Sequence, residues 1–154
     1  MEPTDANIMG NVHGGVLMRL ADTAAGLAAF RHAGSLCVTV AVDEMVFREP
    51  VHVGDLVTLD AMVNDVGTTS LECGVRIQAE SLRTGTTVHA SSAYVVYVAL
   101  DEHGRPSPVP PLLTETADER RRQHEAGLRR ESRMRHREAL EQHRDSAGSD
   151  AAGS

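Results

Sequence analysis

The sequence predicts an α+β fold in which a mainly antiparallel sheet is wrapped round one helix. Three features predict it. Residues 14–32 repeat small apolar side chains at helical spacing. Five strand-like runs follow between residues 36 and 100. Short turns join those runs, and short turns join antiparallel strands. After Leu100 the composition turns proline-rich and then charged. The 154 residues therefore divide into a domain over 1–100, a linker over 101–113, a charged helix over 114–144 and a disordered tail over 145–154.

The helix is taken first. Leu17, Leu20, Ala24, Leu27 and Ala28 form one stripe, and Gly15, Met18, Asp22, Ala25, Gly26 and Ala29 form a second. The small residues of the second stripe let another backbone come close. His32, Ala33 and Gly34 supply the stop signal. The first strand, LCVTVAV over 36–42, is apolar throughout, the pattern of a strand covered on both faces. MVFRE, 45–49, ends at Pro50, and LVTLDAMVNDV, 56–66, follows a turn at Gly54–Asp55. SLECGVRIQAES, 70–81, alternates: Leu71, Cys73, Val75, Ile77 and Ala79 face one way, Glu72, Arg76, Gln78 and Glu80 the other. RTGTT, 83–87, is a turn, and VHASSAYVVYVAL, 88–100, is the last strand. DEHGRPSPVPPLL runs extended along the surface. The charged segment reads as a solvated helix capped by Thr114 or Thr116.

Composition narrows the function. All fifteen basic residues are Arg; residues 1–114 hold six of them against thirteen acids, and residues 115–154 hold nine against nine. An acidic body does not suit nucleic acid as a partner, because phosphate backbones need a basic face. Cys37 and Cys73 lie in apolar runs and read as buried free thiols. No Cys-x-x-Cys pair or His cluster suggests a metal. No apolar run approaches the ~20 residues of a membrane span, so the sequence predicts a cytoplasmic protein with no membrane contact. Gly-x-Ser-x-Gly does not occur, which argues against a serine hydrolase.

One stretch carries more chemistry than the rest. DANIMGNVHGGVLMRLADTAAG presents an acid-x-Asn, an Asn-x-His-Gly-Gly and an Asp seven residues after the second Gly. With VTVAVDEMVFREPVHVGDLV (38–57), ASSAYVVYVALDEHGRPSPVPPL (90–112) and ETADERRRQHEAGLRR (115–130), it resembles the hotdog-fold acyl-coenzyme A thioesterases over most of residues 5–130. The resemblance implies a curved antiparallel sheet round one central helix, pairs of subunits joined through their sheets, and a hexamer built as a trimer of dimers. It places active sites between subunits, one offering Asn11 and the other Asp22. Family members usually carry a short strand before the acid-x-Asn segment, and only four residues precede Asp5 here.

Thioester hydrolysis needs a cradle for the charge growing on the carbonyl oxygen and a base to aim and deprotonate water. Helix N-terminal amides have no partner within the helix, and the macrodipole adds about half a positive charge there. Gly14 and Gly15 leave those amides open to a ligand. Gly15 is the preferred oxyanion donor, with His13 or Gly14 beside it; His13 itself reads as a brace for the turn. Asp22 is the candidate base and Asn11 a donor to the carbonyl or the water. Seven residues separate Gly15 from Asp22, ~10 Å along a helix at ~1.5 Å per residue. Both cannot touch one thioester carbon, so a catalytic Asp22 calls for a dimer. Thr69, Ser70 and Arg83, on two hydroxyl-rich turns, are candidates to hold coenzyme A, which enters as part of the substrate; no cofactor is implied. The same turns also read as ordinary hairpins. The competing functions are a non-catalytic acyl-CoA-binding module and an enoyl-CoA hydratase. The hydratase class uses an Asp and a His five residues apart, whereas Asp5 and His13 are eight apart.

Overall fold

A computed structural model describes the backbone of residues 1 and 3–152 and the side chains of residues 1 and 4–144. The chain divides into two units, Met1–Leu113 and Thr114–Ser154. In the first, a short 3-10 turn (Pro3–Asp5) leads to helix α1 (Gly14–Ala33) and four strands: β1 (Cys37–Phe47), β2 (Leu56–Val66), β3 (Ser70–Glu80) and β4 (Thr87–Ala99). The strands form one antiparallel sheet in the order β1-β4-β3-β2. The sheet curls round α1, the hotdog arrangement.

The core lies between the helix and the inner face of the sheet. Leu17, Ala21, Ala25 and Ala29, one every fourth residue, are buried. They pack with Leu71, Cys73, Val75, Ile77 and Ala79 of β3 and with Ala93, Val95 and Tyr97 of β4. The β3 face is the one its alternation indicates. The helix stripe is not: Leu27 is 62% exposed, and beyond Leu17 the buried line runs through Ala21, Ala25 and Ala29, the last two from the second stripe. With small apolar residues on every side, α1 has too little contrast for its buried face to be read from spacing. Gly34 ends α1 in the left-handed conformation, φ 68°, and its N–H donates to Phe30 O.

Three further expectations are corrected. The runs 36–42 and 45–49 are one strand, β1, whose register against β4 shifts between Thr39 and Ala41 and again between Val42 and Glu44. Each shift inserts one extra residue into β1, Val40 and Asp43, so the polar interruption is a bulge and not a turn. β1 is also a sheet edge, and Val38, Val40 and Val42 are 39%, 54% and 48% exposed in the single chain, not covered on both faces. Finally, 101–113 belongs with the first unit. Ser107 N donates to Ala99 O (2.8 Å) and Val109 N to Thr68 O (3.0 Å), and Val109 packs against the core. Asp101 accepts from the backbone N–H groups of His103 and Arg105 and pairs with the Arg105 guanidinium at 3.1 Å, which closes the turn and holds its carboxyl below the usual range.

The second unit is one helix, α2 (Ala117–Ala152). Thr116 caps it. Its Oγ1 accepts from Glu119 N (3.2 Å), while Glu119 Oε2 accepts from Thr116 N (2.8 Å) and Glu115 N (2.9 Å). This reciprocal box satisfies amides the helix cannot and lowers the Glu119 carboxyl. The helical backbone continues to Ala152, through most of the tail read as disordered. Residues 153 and 154 of that tail lie outside the described residues.

Candidate active site

The end of the sheet where α1 begins is knit together by backbone. Val12 N donates to Val51 O (2.7 Å), His13 N to Asp5 O (2.7 Å), and Asn11 bridges His52. Residues 7–11 form a tight turn inside this weave. Asn7 Oδ1 accepts from Met9 N (2.8 Å) and Asn11 N (3.2 Å), Asn7 N donates to Asn11 O (2.7 Å), and Gly10 takes φ 80°. With Oδ1 engaged, the side-chain NH2 of Asn7 is its outward donor.

His13 is the N-cap of α1. Its Nδ1 accepts from Gly15 N at 3.4 Å, a long bond. The Gly15 amide is thus closed loosely by the cap and not left bare. The two glycines have different reasons. A Cβ on Gly14 would stand 3.2 Å from the tip of the Phe47 ring, which would have to give way slightly to admit it. A Cβ on Gly15 would meet only His13 Nδ1, at 3.7 Å, so nothing in the chain itself requires glycine there.

Asp22 lies two turns on, half-buried, on the side of α1 that faces the β1 edge. Its Oδ1 accepts from Thr39 Oγ1 of β1 (2.7 Å) and from the hydroxyl of Tyr97 on β4 (2.9 Å); that hydroxyl also lies 2.7 Å from Asp22 O. Oδ2 takes no hydrogen bond from the described residues. Burial, then the bond to Asp22, push the Tyr97 phenol above its ordinary value, so it stays a donor. The unbroken α1 keeps Asp22 and Gly15 of one chain apart, as the sequence distance requires. Thr39 and Tyr97 were not singled out from the sequence. The available signal was Thr39, the lone hydroxyl inside LCVTVAV.

The candidate coenzyme A residues do not form one site in a chain. Thr69 and Ser70 lie at the β2–β3 turn and Arg83 at the β3–β4 turn, at opposite ends of β3, whose 11 residues span about 33 Å. Thr69 O accepts from Ala99 N and Ser70 O from Gly67 N, so that turn is engaged in structure. Arg83 instead lines a groove of about 800 Å³ with His52, Asp55, Ser81, Thr84 and Thr86. This groove is at the α1-start end, joined to the Asn7 turn through the Asn11–His52 bridge. Among the described residues no three His, Cys, Asp or Glu side chains are placed to hold a metal, and no helix is long and apolar enough to cross a membrane.

Residues 9–86 match the thioesterase superfamily. The chain belongs to that family. This thioesterase is 37% identical over 141 residues to YkhA of Bacillus subtilis, named an uncharacterized acyl-CoA thioester hydrolase; the match covers 90% of this chain and 82% of the relative. Among solved structures, the acyl-CoA hydrolase of Staphylococcus aureus in complex with butyryl coenzyme A and coenzyme A superposes with a TM-score of 0.84 at 33% identity, over 92% of this chain and 87% of that one. Variants of that enzyme with an Asp, an Asn or a Thr replaced by Ala have also been solved. A hexameric hotdog fold thioesterase of Campylobacter jejuni superposes with a TM-score of 0.66 at 31% identity, over 71% of this chain and 84% of that one. The thioesterase described here is thus a hotdog-fold member of an acyl-CoA hydrolase family.

Proposed function

We propose that this protein hydrolyses fatty acyl-CoA to a free acid and coenzyme A in the cytoplasm, as a homodimer within a hexamer, with each site shared between two subunits. The observation that carries the reading is the Asp22 cluster. A carboxylate is held by one oxygen and open at the other, beside an unpaired strand edge and about 10 Å along α1 from the Gly15 amide of its own chain. A second copy set antiparallel supplies the missing half.

Asp22 Oδ2 takes a proton from water as the water oxygen attacks the thioester carbon. The carbonyl oxygen, now negative, is held by the Gly15 N–H of the other subunit, displacing the long bond to His13, with Gly14 beside it. The C–S bond breaks as the carbonyl reforms, and the sulfur leaves with the proton held by Asp22.

The asparagine is reassigned. In the Staphylococcus aureus hydrolase the altered Asn lies 15 residues before the altered Asp, and the altered Thr 17 after it. Asn7, Asp22 and Thr39 stand at those two intervals; Asn11 does not. Asn7 therefore takes the place first given to Asn11, with its NH2 toward the carbonyl or the water, and Asn11 shapes the turn that aims it. Arg83 and the hydroxyls of its groove take the phosphates of coenzyme A, and Thr69 and Ser70 keep a structural role.

The test is thiol release from a panel of acyl-CoA esters by the wild type and by Asp22→Asn. The reading requires release by the wild type and a loss of about a thousandfold in the variant at unchanged solution mass. Tight acyl-CoA binding without turnover would instead make the protein a binding module. Hydration of crotonyl-CoA would make it a hydratase.

A further inference from the structure

A carboxylate has two oxygens, and a general base must aim one of them. In Asp22 the choice is made by what holds Oδ1. Thr39 contributes one bond from an exposed position on the sheet edge. Tyr97 contributes the other from a central strand, with 2% of its surface exposed. Its hydroxyl bridges Oδ1 and the backbone O of the same residue, at 2.9 and 2.7 Å. Turning the carboxylate over would break both bonds to Oδ1. The ring itself is buried in the core, beside Gly26 of α1.

We propose that Tyr97 is a positioning residue of the hydrolytic reaction: its hydroxyl locks Asp22 Oδ1 and so presents Oδ2 to the attacking water. The proposal rests on the reading of Asp22 as the base. Tyr97 does not act as a base or nucleophile itself, because the same burial and hydrogen bond keep its proton in place. The groups that bear on the phenol are Asp22 of α1, Thr39 of β1 and the Cys73 thiol of β3.

Tyr97→Phe removes one oxygen and keeps the ring. In the oligomer it should lower kcat about tenfold and leave KM within twofold, with solution mass unchanged. Tyr97→Phe combined with Thr39→Val should cost more than the two separate losses together. Wild-type kcat in Tyr97→Phe would overturn the proposal. So would a loss of rate matched by a rise in KM, which is the mark of a packing role. Should Asp22→Asn retain turnover, the base assignment falls and this proposal with it. Should Asp22→Asn be inactive while Tyr97→Phe is wild type, only the positioning role falls.

Discussion

Gly15→Ala separates stability from chemistry. The position is helical, its φ is not in the left-handed region, and an added Cβ meets nothing closer than His13 Nδ1 at 3.7 Å. Alanine should therefore fit, and it should stabilise the first turn of α1 by about 0.5 kcal/mol or more, since glycine loses more backbone freedom on folding. For a domain of this size that is a rise of about 3 °C in thermal midpoint. The same methyl group stands in front of the amide proposed to hold the oxyanion. Losing one such donor costs about a hundredfold to a thousandfold in turnover. The assay pairs thermal unfolding with thiol release from an acyl-CoA ester, and light scattering fixes the mass. The expected result is a more stable, full-sized protein with kcat/KM down at least a hundredfold. Gly14→Ala is the contrast, because its Cβ would stand 3.2 Å from the Phe47 ring and its gain should be smaller than that of Gly15→Ala. A Gly15→Ala protein that is stable, of full mass and as active as the wild type would refute both the oxyanion assignment and the reason given for that glycine.

The remaining predictions concern the sheet, the groove and alkaline pH. In Gly74→Ala the new Cβ would lie 2.6 Å from Asn64 Nδ2, and Asn64 is 2% exposed, so the change should cost about 1–3 kcal/mol in chemical unfolding. Arg83→Ala should raise KM for acyl-CoA about fivefold at unchanged kcat, the worth of one exposed charge on a phosphate, and leave an acyl-pantetheine thioester unaffected. Burial pushes the Cys73 thiol from 9.0 up to about 12, so the folded chain holds a proton that the unfolded chain gives up. Stability should be flat with respect to this thiol below pH 9 and fall from there toward pH 12, with Tyr97 adding to the loss above its ordinary 10; urea midpoints across that range check the slope, and Cys73→Val should flatten part of it.

The sequence carried the local structure well where contrast was high. β3 alternates cleanly, and its buried face follows. Gly34 and Thr116 are chemical signals for helix ends and mark them correctly. The buried stripe of α1 was not legible, because a run of Ala and Gly has no strong periodicity. Nor was the single strand β1, because a bulge at Asp43 looks like an interruption when the partner strand is unseen. The site divides the same way. In the proposed site Asp22 came from the family resemblance and Gly15 from the chemistry of a helix N-terminus. Tyr97 lies 75 residues from Asp22 in sequence, and only the curl of the sheet brings its hydroxyl to the carboxylate. Thr69, Ser70 and Arg83 looked equivalent as turn residues until β3 separated them. Asn7 and Asn11 share one turn, and local chemistry alone does not choose between them.

The exposed valines of β1 bear on the same question as the incomplete site. LCVTVAV reads as a strand covered on both faces, yet Val38, Val40 and Val42 are 39%, 54% and 48% exposed in one chain, on an edge with unpaired backbone. Such an edge invites another strand. Asp22 reaches Thr39 in the middle of it, so the contact that would cover the valines is also the contact that would bring a second helix N-terminus toward Oδ2. Assembly and catalysis should therefore fail together when β1 alone is altered. Val42→Lys places a charge at a position half-open in the single chain, where a surface change costs within about 0.5 kcal/mol. In the proposed pair the same lysine would be an unpartnered buried charge, costing about 3–5 kcal/mol per copy, enough to shift the dimer to monomer at micromolar concentration. The expected protein is a folded monomer with Asp22, Thr39 and Tyr97 intact and no thiol release. A monomer that still turns over would show that one chain holds a complete site, and a fully active dimer of unchanged mass would show that subunits meet elsewhere.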